Sequence, residues 1–224
     1  MYIPVVFQWI GLSLWYRSLT LPLIANPKLP LSGMVGIPKS SLLEQAKGAA
    51  AESILDWAIF ERSELNFEQQ INTIEDKMKE MNLVFPVVCK PDIGCRGVGV
   101  KLIQDKEQLK QAFVQYPTGS TMMLQRLADY EPEAGIFYTR HPDQDTGNII
   151  SMALKYMPYV LGDGKHTLAE LISQDERAGE LAHLYQKRHQ ANWNTVIDKD
   201  KPYRLIFAAS HSRGAIFKDA NNAI

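Results

Sequence analysis

The sequence predicts an α/β protein in which mixed and antiparallel sheets are flanked by helices. Three observations support this prediction. Apolar residues recur at helical spacing between residues 41 and 81. Beyond residue 83, short runs rich in β-branched and aromatic residues replace that period. These runs follow the order strand, loop, strand, helix and then three strands, so that both element types occur within one stretch of chain.

Composition and charge limit the classes of function. Of the 224 residues, 46% are hydrophobic and 22% are charged, which is typical of a globular protein and argues against a disordered chain. The length suits one large domain or two small ones. A net charge of −1 gives no general attraction to nucleic acid or acidic membranes, so any anion site has to be local. The two cysteines, Cys89 and Cys95, are not a disulfide framework, and we expect a cytoplasmic protein.

The N-terminal third carries no motif with an interpretable chemistry. Its first run, IPVVFQWIGLSLWY, is apolar but short, and it lacks the basic start and the cleavage site of a signal peptide. We expect no transmembrane segment here and predict that the run forms core, with peripheral membrane contact as the alternative. Residues 20–39 hold four prolines and two glycines and predict an irregular connection. The expected division is an N-terminal helical and irregular segment, residues 1–65, and a second domain, residues 66–224.

Two helices are predicted before residue 83. The first begins at a capping-box pattern of Ser41 and Glu44 and continues with apolar residues at helical spacing as far as Trp57. In the second, the apolar residues alternate steps of four and three, which places one stripe against a partner element. This stripe consists of Phe67, Ile71, Ile74, Met78 and Met81.

Strands dominate the prediction after residue 83. The runs that read as strands are VFPVVCK, VGVKLI, TMMLQRL, GIFYTR, IISMALKYM and YRLIFAAS. Helices are predicted for DKEQLKQAFVQY, for the residues after the turn LGDGK, and for DERAGELAHLYQKRH.

Three glycines between the first two of these strands raise the question of a phosphate loop. Gly94, Gly97 and Gly99 have the spacing G-x-x-G-x-G, and the following run is another strand. A Walker loop and a dinucleotide fingerprint both lead into a helix, and the catalytic motifs of a protein kinase do not follow, so these three readings are excluded. Glycines let backbone N–H groups turn toward an anion, and Lys90 adds a positive charge. The alternative is a glycine-rich hairpin with an incidental lysine.

The motifs resemble the ATP-grasp superfamily in order as well as in composition. FPVVCKPDIGCRGVGVKLI is similar to its phosphate-binding strand and loop, and MMLQRLADYEPEAGIFYTRHP to its hinge segment. MPYVLGDGKHTLAELI and SHSRGAIFKD resemble later segments of its carboxylate-amine ligases, a group that includes D-alanyl-D-alanine ligase and cyanophycin synthetase. The likeness covers roughly residues 66–219. It implies that residues 66–224 form an ATP-grasp nucleotide-binding domain.

The resemblance implies a role for individual residues. Lys90 would contact the α- and β-phosphates of ATP, and Glu133 the ribose hydroxyls, with Glu131 as a rival. Arg140 and Arg213 would offset charge on a carboxylate substrate or an acyl phosphate. The flap over the β- and γ-phosphates would consist of Gly94, Arg96, Gly97 and Gly99. The hinge beside the adenine would consist of Gln125, Arg126 and Leu127.

The implied activity is that of an ATP-dependent ligase that joins a small carboxylate to an amine through an acyl phosphate, with Mg²⁺ on the phosphates. The sequence departs from the family because no late strand with acidic metal ligands is found before Ile224, and Asp219-Ala220-Asn221 lies in a polar tail. The metal ligands therefore stay unknown, and we expect the C-terminal part of the fold to be missing. The expected consequences are a nucleotide-binding fragment without catalysis, or ligands from a second chain. Two further alternatives are that the chain associates with itself and that it is a structural interaction module.

Overall fold

The structure is a computed structural model that describes residues 2–34, 36–94, 96–131 and 133–224. Its helices are α1 Ile3–Trp15, α2 Lys39–Leu43, α3 Ala49–Glu52, α4 Phe67–Glu80, α5 Lys106–Val114, α6 Leu168–Gln174, α7 Glu176–Glu180 and α8 Ala182–Arg188. Its strands are β1 Trp57–Glu61, β2 Val87–Pro91, β3 Lys101–Ile103, β4 Thr121–Arg126, β5 Glu133–Thr139, β6 Asn148–Tyr156, β7 Tyr159–Leu161, β8 Pro202–Arg204 and β9 Ile216–Asp219.

Three sheets organise these strands. A four-stranded sheet has the order β1-β4-β2-β3, a three-stranded sheet the order β5-β6-β9, and β7 pairs with β8. The pairs β1–β4, β2–β3, β5–β6, β6–β9 and β7–β8 are antiparallel. The predicted α/β class, with antiparallel sheets and flanking helices, is confirmed. In the described residues no helix is long and apolar enough to cross a bilayer.

Contacts between residues divide the chain into two compact units. Unit 1 contains residues 1–84, 90–95 and 110–126, and unit 2 contains residues 85–89, 96–109 and 127–224. Strand β2 contributes residues to both. The boundary between residues 65 and 66 that the sequence indicates stays a prediction.

Unit 1 buries the apolar stripe of α4, as the sequence predicts. Ile71, Ile74 and Met78 are buried, whereas Met81 follows the end of the helix and is partly exposed. The Asn66 side chain begins the helix by accepting hydrogen bonds from the N–H groups of Glu68 and Gln69. The buried side chains of the neighbouring strands complete the apolar interior of this unit; they are Ala58, Phe60, Met122, Met123 and Leu124.

The helix predicted from Ser41 to Trp57 is wrong. The chain forms two short helices, α2 and α3, and Trp57 already begins β1. Ser41 Oγ donates to Pro38 O and does not cap a helix. Gly48, which directly precedes α3, has a φ of 56° and a ψ of −137°, a non-helical conformation that favours glycine. Trp57 pairs with Gln125 of β4, a partner 68 residues along the chain that helical spacing does not reveal.

The N-terminal run does form a helix, but not core. All residues of α1 are exposed except Ser13, and Trp15 keeps 82% of its surface. The prediction that this run forms core is therefore wrong for the described chain. Two short 3-10 turns, Leu21–Ile24 and Pro30–Gly33, follow in the segment predicted to be irregular.

Unit 2 is built around a separate apolar cluster. Its fully buried members include Leu168 and Ile172 of α6, Tyr185 of α8, and Leu205. Thr167 and Glu170 form a capping box at the start of α6. The run predicted as one helix after Gln174 is divided at Leu181 into α7 and α8, and the strand predicted as YRLIFAAS is limited to β8. These two boundaries are corrections to the sequence-based prediction.

Candidate functional site

Lys90 lies near the end of β2 and is half-buried. Its Nζ donates to Gln125 Oε1 at 2.6 Å, across to β4. Gln125 is held in turn, because its Nε2 donates to Leu55 O at 3.1 Å. A chain of two hydrogen bonds thus fixes the direction in which the ammonium group points.

Among the described residues, no carboxylate is recorded as a partner of the Lys90 ammonium group. Burial lowers the pKa of its amine, and the positive charge of Lys39 lowers it further. A carboxylate partner would have the opposite effect, since it stabilises the ammonium form. The partner that the structure provides is the neutral amide oxygen of Gln125. An ammonium group in such surroundings is suited to bind an anion.

The residues after Lys90 are anchored at Asp92, which is only 6% exposed. Asp92 Oδ1 accepts from Ser40 N at 2.8 Å, and Oδ2 accepts from Ser40 Oγ at 2.7 Å. The backbone N–H of Asp92 donates to Thr121 O at 3.0 Å. Gly94 follows in the exposed part of the loop. Cys95 lies outside the described residues.

The later part of the glycine loop belongs to unit 2. Arg96, Gly97 and Gly99 all have positive φ, at 55°, 70° and 75°. Gly97 O accepts a hydrogen bond from Arg213 Nη1 at 3.2 Å. A Cβ on Gly97 would lie 3.1 Å from Arg213 Cδ, so the arginine side chain packs closely against this glycine.

Arg213 lies beside a second cation. Arg188 Nη1 donates to Arg213 O at 2.9 Å, and burial together with the Arg213 charge lowers the pKa of Arg188. Arg213 Nε is buried and finds no hydrogen-bond partner among the described residues. Positive charge is therefore concentrated at this end of α8.

The other predicted site residues have local partners. Arg126 is exposed and lies 3.4 Å from an Asp56 carboxylate oxygen. Glu133, also exposed, faces Lys155 with 3.8 Å between carboxylate and ammonium. Arg140 Nη1 donates to Gln144 O at 2.8 Å within an exposed loop. Leu127 is half-buried and follows the end of β4.

The carboxylates of Glu131 and Glu133 differ in their hydrogen-bond and ion-pair partners. Glu131 lies 2.5 Å from Arg204 Nη1 and accepts from Tyr159 Oη at 3.0 Å. Burial, followed by this hydrogen bond, raises the pKa of Tyr159. Glu133 has only its longer pair with Lys155 among the contacts described here. The freer carboxylate of Glu133 agrees with its choice over Glu131 for the ribose, which stays a prediction.

The structure brings together two pairs of predicted residues, Lys90 with Gln125 in unit 1 and Gly97 with Arg213 in unit 2. Sequence reasoning missed Ser40, Asp92 and Lys39 as supports of the loop. Asp92 follows Lys90 and Pro91 in the motif, and a polar residue at a strand end was the available signal. Nothing local in the sequence indicates that residues 39 and 40 reach it.

The described residues do not provide a carboxylate site for Mg²⁺. In those residues, no group of three or more His, Cys, Asp or Glu side chains is placed to hold a metal ion. Asp219 and Asn221 are engaged locally, because Asp219 Oδ1 accepts from Asn221 N and Asn221 Oδ1 from Met152 N.

Comparison with known proteins gives a distant likeness. A solved structure of a bifunctional glutathione synthetase from Pasteurella multocida matches with 16% sequence identity and a TM-score of 0.34. The match covers 83% of this chain and 25% of that chain, so this chain spans about a quarter of that protein's length. No protein-family model and no curated protein sequence matches. At this identity and TM-score the likeness does not assign the chain to a family.

The turn of sequence G-D-G-K, residues 162–165, is held together by the carboxylate of Asp163. Asp163 Oδ1 accepts from His166 N at 2.8 Å and from Lys165 N at 2.9 Å, and Oδ2 lies 2.5 Å from His166 Nδ1. The backbone hydrogen bond from His166, followed by its side chain, holds the pKa of Asp163 well below the ordinary range.

Because the folded-state pKa is depressed, Asp163 should stabilise the fold above its unfolded pKa of about 4 and lose this effect as pH falls below it. We expect Asp163→Ala to lower the thermal midpoint at pH 7, with a difference from wild type that shrinks steadily below about pH 4. Thermal unfolding followed by circular dichroism over this pH range measures the difference. Asp129→Ala, at an exposed position, is the control. A deficit of equal size at pH 3 and pH 7 would contradict the role of the ionised carboxylate.

Proposed function

We propose that this chain binds the phosphate groups of ATP, with Lys90 as the central contact. The observation that supports this proposal is the half-buried ammonium of Lys90, which Gln125 Oε1 orients at 2.6 Å without neutralising its charge. Retaining an uncompensated cation away from water costs free energy, and a bound anion offsets that cost. Such perturbed cations are concentrated at functional sites.

The sequence motifs direct the proposal to ATP. A lysine-proline pair, a glycine loop and a second strand occur in the order expected for an ATP-grasp protein, and the structure has β2, the loop and β3 in that order. The predicted roles of Gly94, Arg96, Gly97 and Gly99 at the phosphates belong to this proposal. So do those of Gln125, Arg126 and Leu127 at the adenine and of Glu133 at the ribose.

We extend the proposal to the chemistry of a carboxylate-amine ligase. ATP would supply the phosphoryl group that activates a carboxylate, and the chain's own residues would bind and orient the reactants. Arg213 and Arg140 are the residues proposed to offset negative charge on the carboxylate or acyl phosphate. The cytoplasmic location expected from the sequence belongs to the same proposal.

A second candidate function is that of an interaction module that binds a further copy of this chain. Strand β5 lies at an edge of its three-stranded sheet, and Ile136, Phe137 and Tyr138 in it are exposed. An exposed apolar edge strand favours pairing with another strand. Glu133, which is proposed for the ribose, is the first residue of the same strand.

The first test is thermal unfolding with and without ATP. A nucleotide at about 100 times its Kd should add about 2.7 kcal/mol, which raises the midpoint of a chain of this size by roughly 5 to 10 °C. Lys90→Met should abolish this increase, because it removes the charge and keeps most of the side-chain volume. Lys79→Met, which changes an exposed lysine of α4, should keep it. Absence of any increase in the wild-type protein, at ATP concentrations into the millimolar range, argues against nucleotide binding.

The second test changes the partner of Lys90. Gln125→Glu places a carboxylate against the ammonium group, so the pair should be neutralised and ATP should be repelled. Two charges about 4 Å apart interact by about 4 kcal/mol at an effective dielectric constant of 20, so we expect affinity to fall by more than about tenfold. Titration calorimetry measures the affinity. Unfolding without ligand shows whether the new ion pair offsets the hydrogen bond from Gln125 Nε2 to Leu55 O that this change removes. Unchanged affinity would mean that phosphate does not approach Lys90.

The interaction module is tested by light scattering. The wild-type chain, with a monomer mass of 25.3 kDa, should form larger species, whereas Ile136→Lys should remain a monomer because edge lysines oppose strand pairing. Val98→Lys, at another exposed apolar position, is the control and should still associate. A monodisperse wild-type monomer would count against this function.

A further inference from the structure

Lys39, which begins α2, holds the first part of the glycine loop through its side chain. Its Nζ lies 2.9 Å from Pro91 O, 3.0 Å from Asp92 O and 3.3 Å from Gly94 O. An ammonium group has three N–H donors, so these three carbonyls match its full capacity. The backbone N–H of Lys39 adds a further hydrogen bond to Asp92 O at 3.0 Å.

The neighbouring residue strengthens this attachment. Ser40 donates to both carboxylate oxygens of Asp92 with its N–H and its hydroxyl, and this contact is buried. Residues 39 and 40 thus contact Pro91, Asp92 and Gly94 through six hydrogen bonds. Such a concentration at one loop limits the conformations that its backbone can adopt.

Lys39 also brings positive charge to the loop. A Cβ built on Gly94 would lie 4.0 Å from Lys39 Nζ, so the ammonium lies directly beside this glycine. Its charge is close enough to Lys90 to contribute to the lowered pKa of that amine. In the described contacts, both ammonium groups have neutral oxygens as partners. Two adjacent cations are best balanced by a ligand with several negative charges in a row.

We propose that Lys39 is a positioning residue for a polyphosphate ligand. Lys39 fixes the backbone of residues 91–94 and thereby makes the site prefer a nucleoside triphosphate over the monophosphate or the nucleoside. This inference rests on the proposed binding of ATP at Lys90 and names what that site selects. Lys39 would act through the loop and through its charge, whereas Lys90 makes the direct contact.

The experiment compares Lys39→Met, which removes charge and donors, with Lys39→Arg, which keeps both. Lys28→Met changes an exposed lysine of the same proline-rich connection and is the control. Hydrogen exchange, followed by mass spectrometry on the peptide that covers residues 91–99, reports the loop without any ligand. Calorimetry with ATP, AMP and adenosine reports the selectivity.

We expect Lys39→Met to accelerate exchange in that peptide and to lower ATP affinity by about tenfold, while adenosine affinity stays at the wild-type value. AMP affinity should fall less than ATP affinity. Lys39→Arg should restore most of both properties, and Lys28→Met should alter neither. If Lys39→Met does not fold, Lys39→Gln replaces it, because glutamine keeps two donors without the charge and should lose selectivity alone.

Two results would overturn the inference while ATP binding by the wild type stands. One is an equal loss of affinity for ATP and adenosine, which would make Lys39 a general support of the fold. The other is wild-type ATP affinity together with unchanged exchange in Lys39→Met. No binding of ATP by the wild type would instead overturn the proposed function and the selectivity with it, while the exchange measurement would still decide whether Lys39 holds the loop.

Discussion

The buried carboxylate of Asp92 is the constraint on which the local structure of unit 1 depends. A carboxylate removed from water is stable only if hydrogen bonds replace its lost hydration. Ser40 supplies two of these bonds, and the Asp92 backbone is tied to Thr121 at the start of β4. The beginning of α2, the end of β2 and the start of β4 therefore meet at one residue. Lys90 lies two positions before this point, so its side chain starts from a fixed backbone.

Charge is distributed unevenly around that constraint. Lys39 and Lys90 contribute two positive charges, and Asp92 contributes a negative charge whose oxygens are occupied by Ser40. The lysines are bonded to carbonyl and amide oxygens, which orient an ammonium group but do not cancel its charge. This arrangement is expensive for stability alone, since burial disfavours the charged form of Lys90. The proposed phosphate ligand would offset this cost.

Unit 2 shows how glycine positions close contacts between a loop and the apolar cluster. Gly214 adopts a φ of 105°, and a Cβ there would lie 2.1 Å from Tyr185 Oη. Tyr185 is a buried member of the cluster, and Gly214, the residue after Arg213, packs closely against it. Arg213 donates to Gly97 O, and Gly97 has a φ of 70°, which glycine adopts without strain. The motif residues of this unit thus depend on the core for their placement.

Elements with local signals could be predicted from the amino-acid sequence. The stripe of α4 and the β-rich runs of β4 to β6 each lie within one element, so helical periodicity and a β-branched or aromatic composition were sufficient to predict them. Lys90 and the glycines were found in the same way, because they are contiguous. Only the tertiary structure decided that Trp57 pairs with Gln125, that α1 remains exposed, and that Lys39 and Ser40 reach residues more than 50 positions away. An apolar side chain favours burial, and a charged side chain favours a polar partner. Neither property specifies which distant residue provides the contact. That choice depends on non-local packing and strand pairing, which no short window of sequence contains.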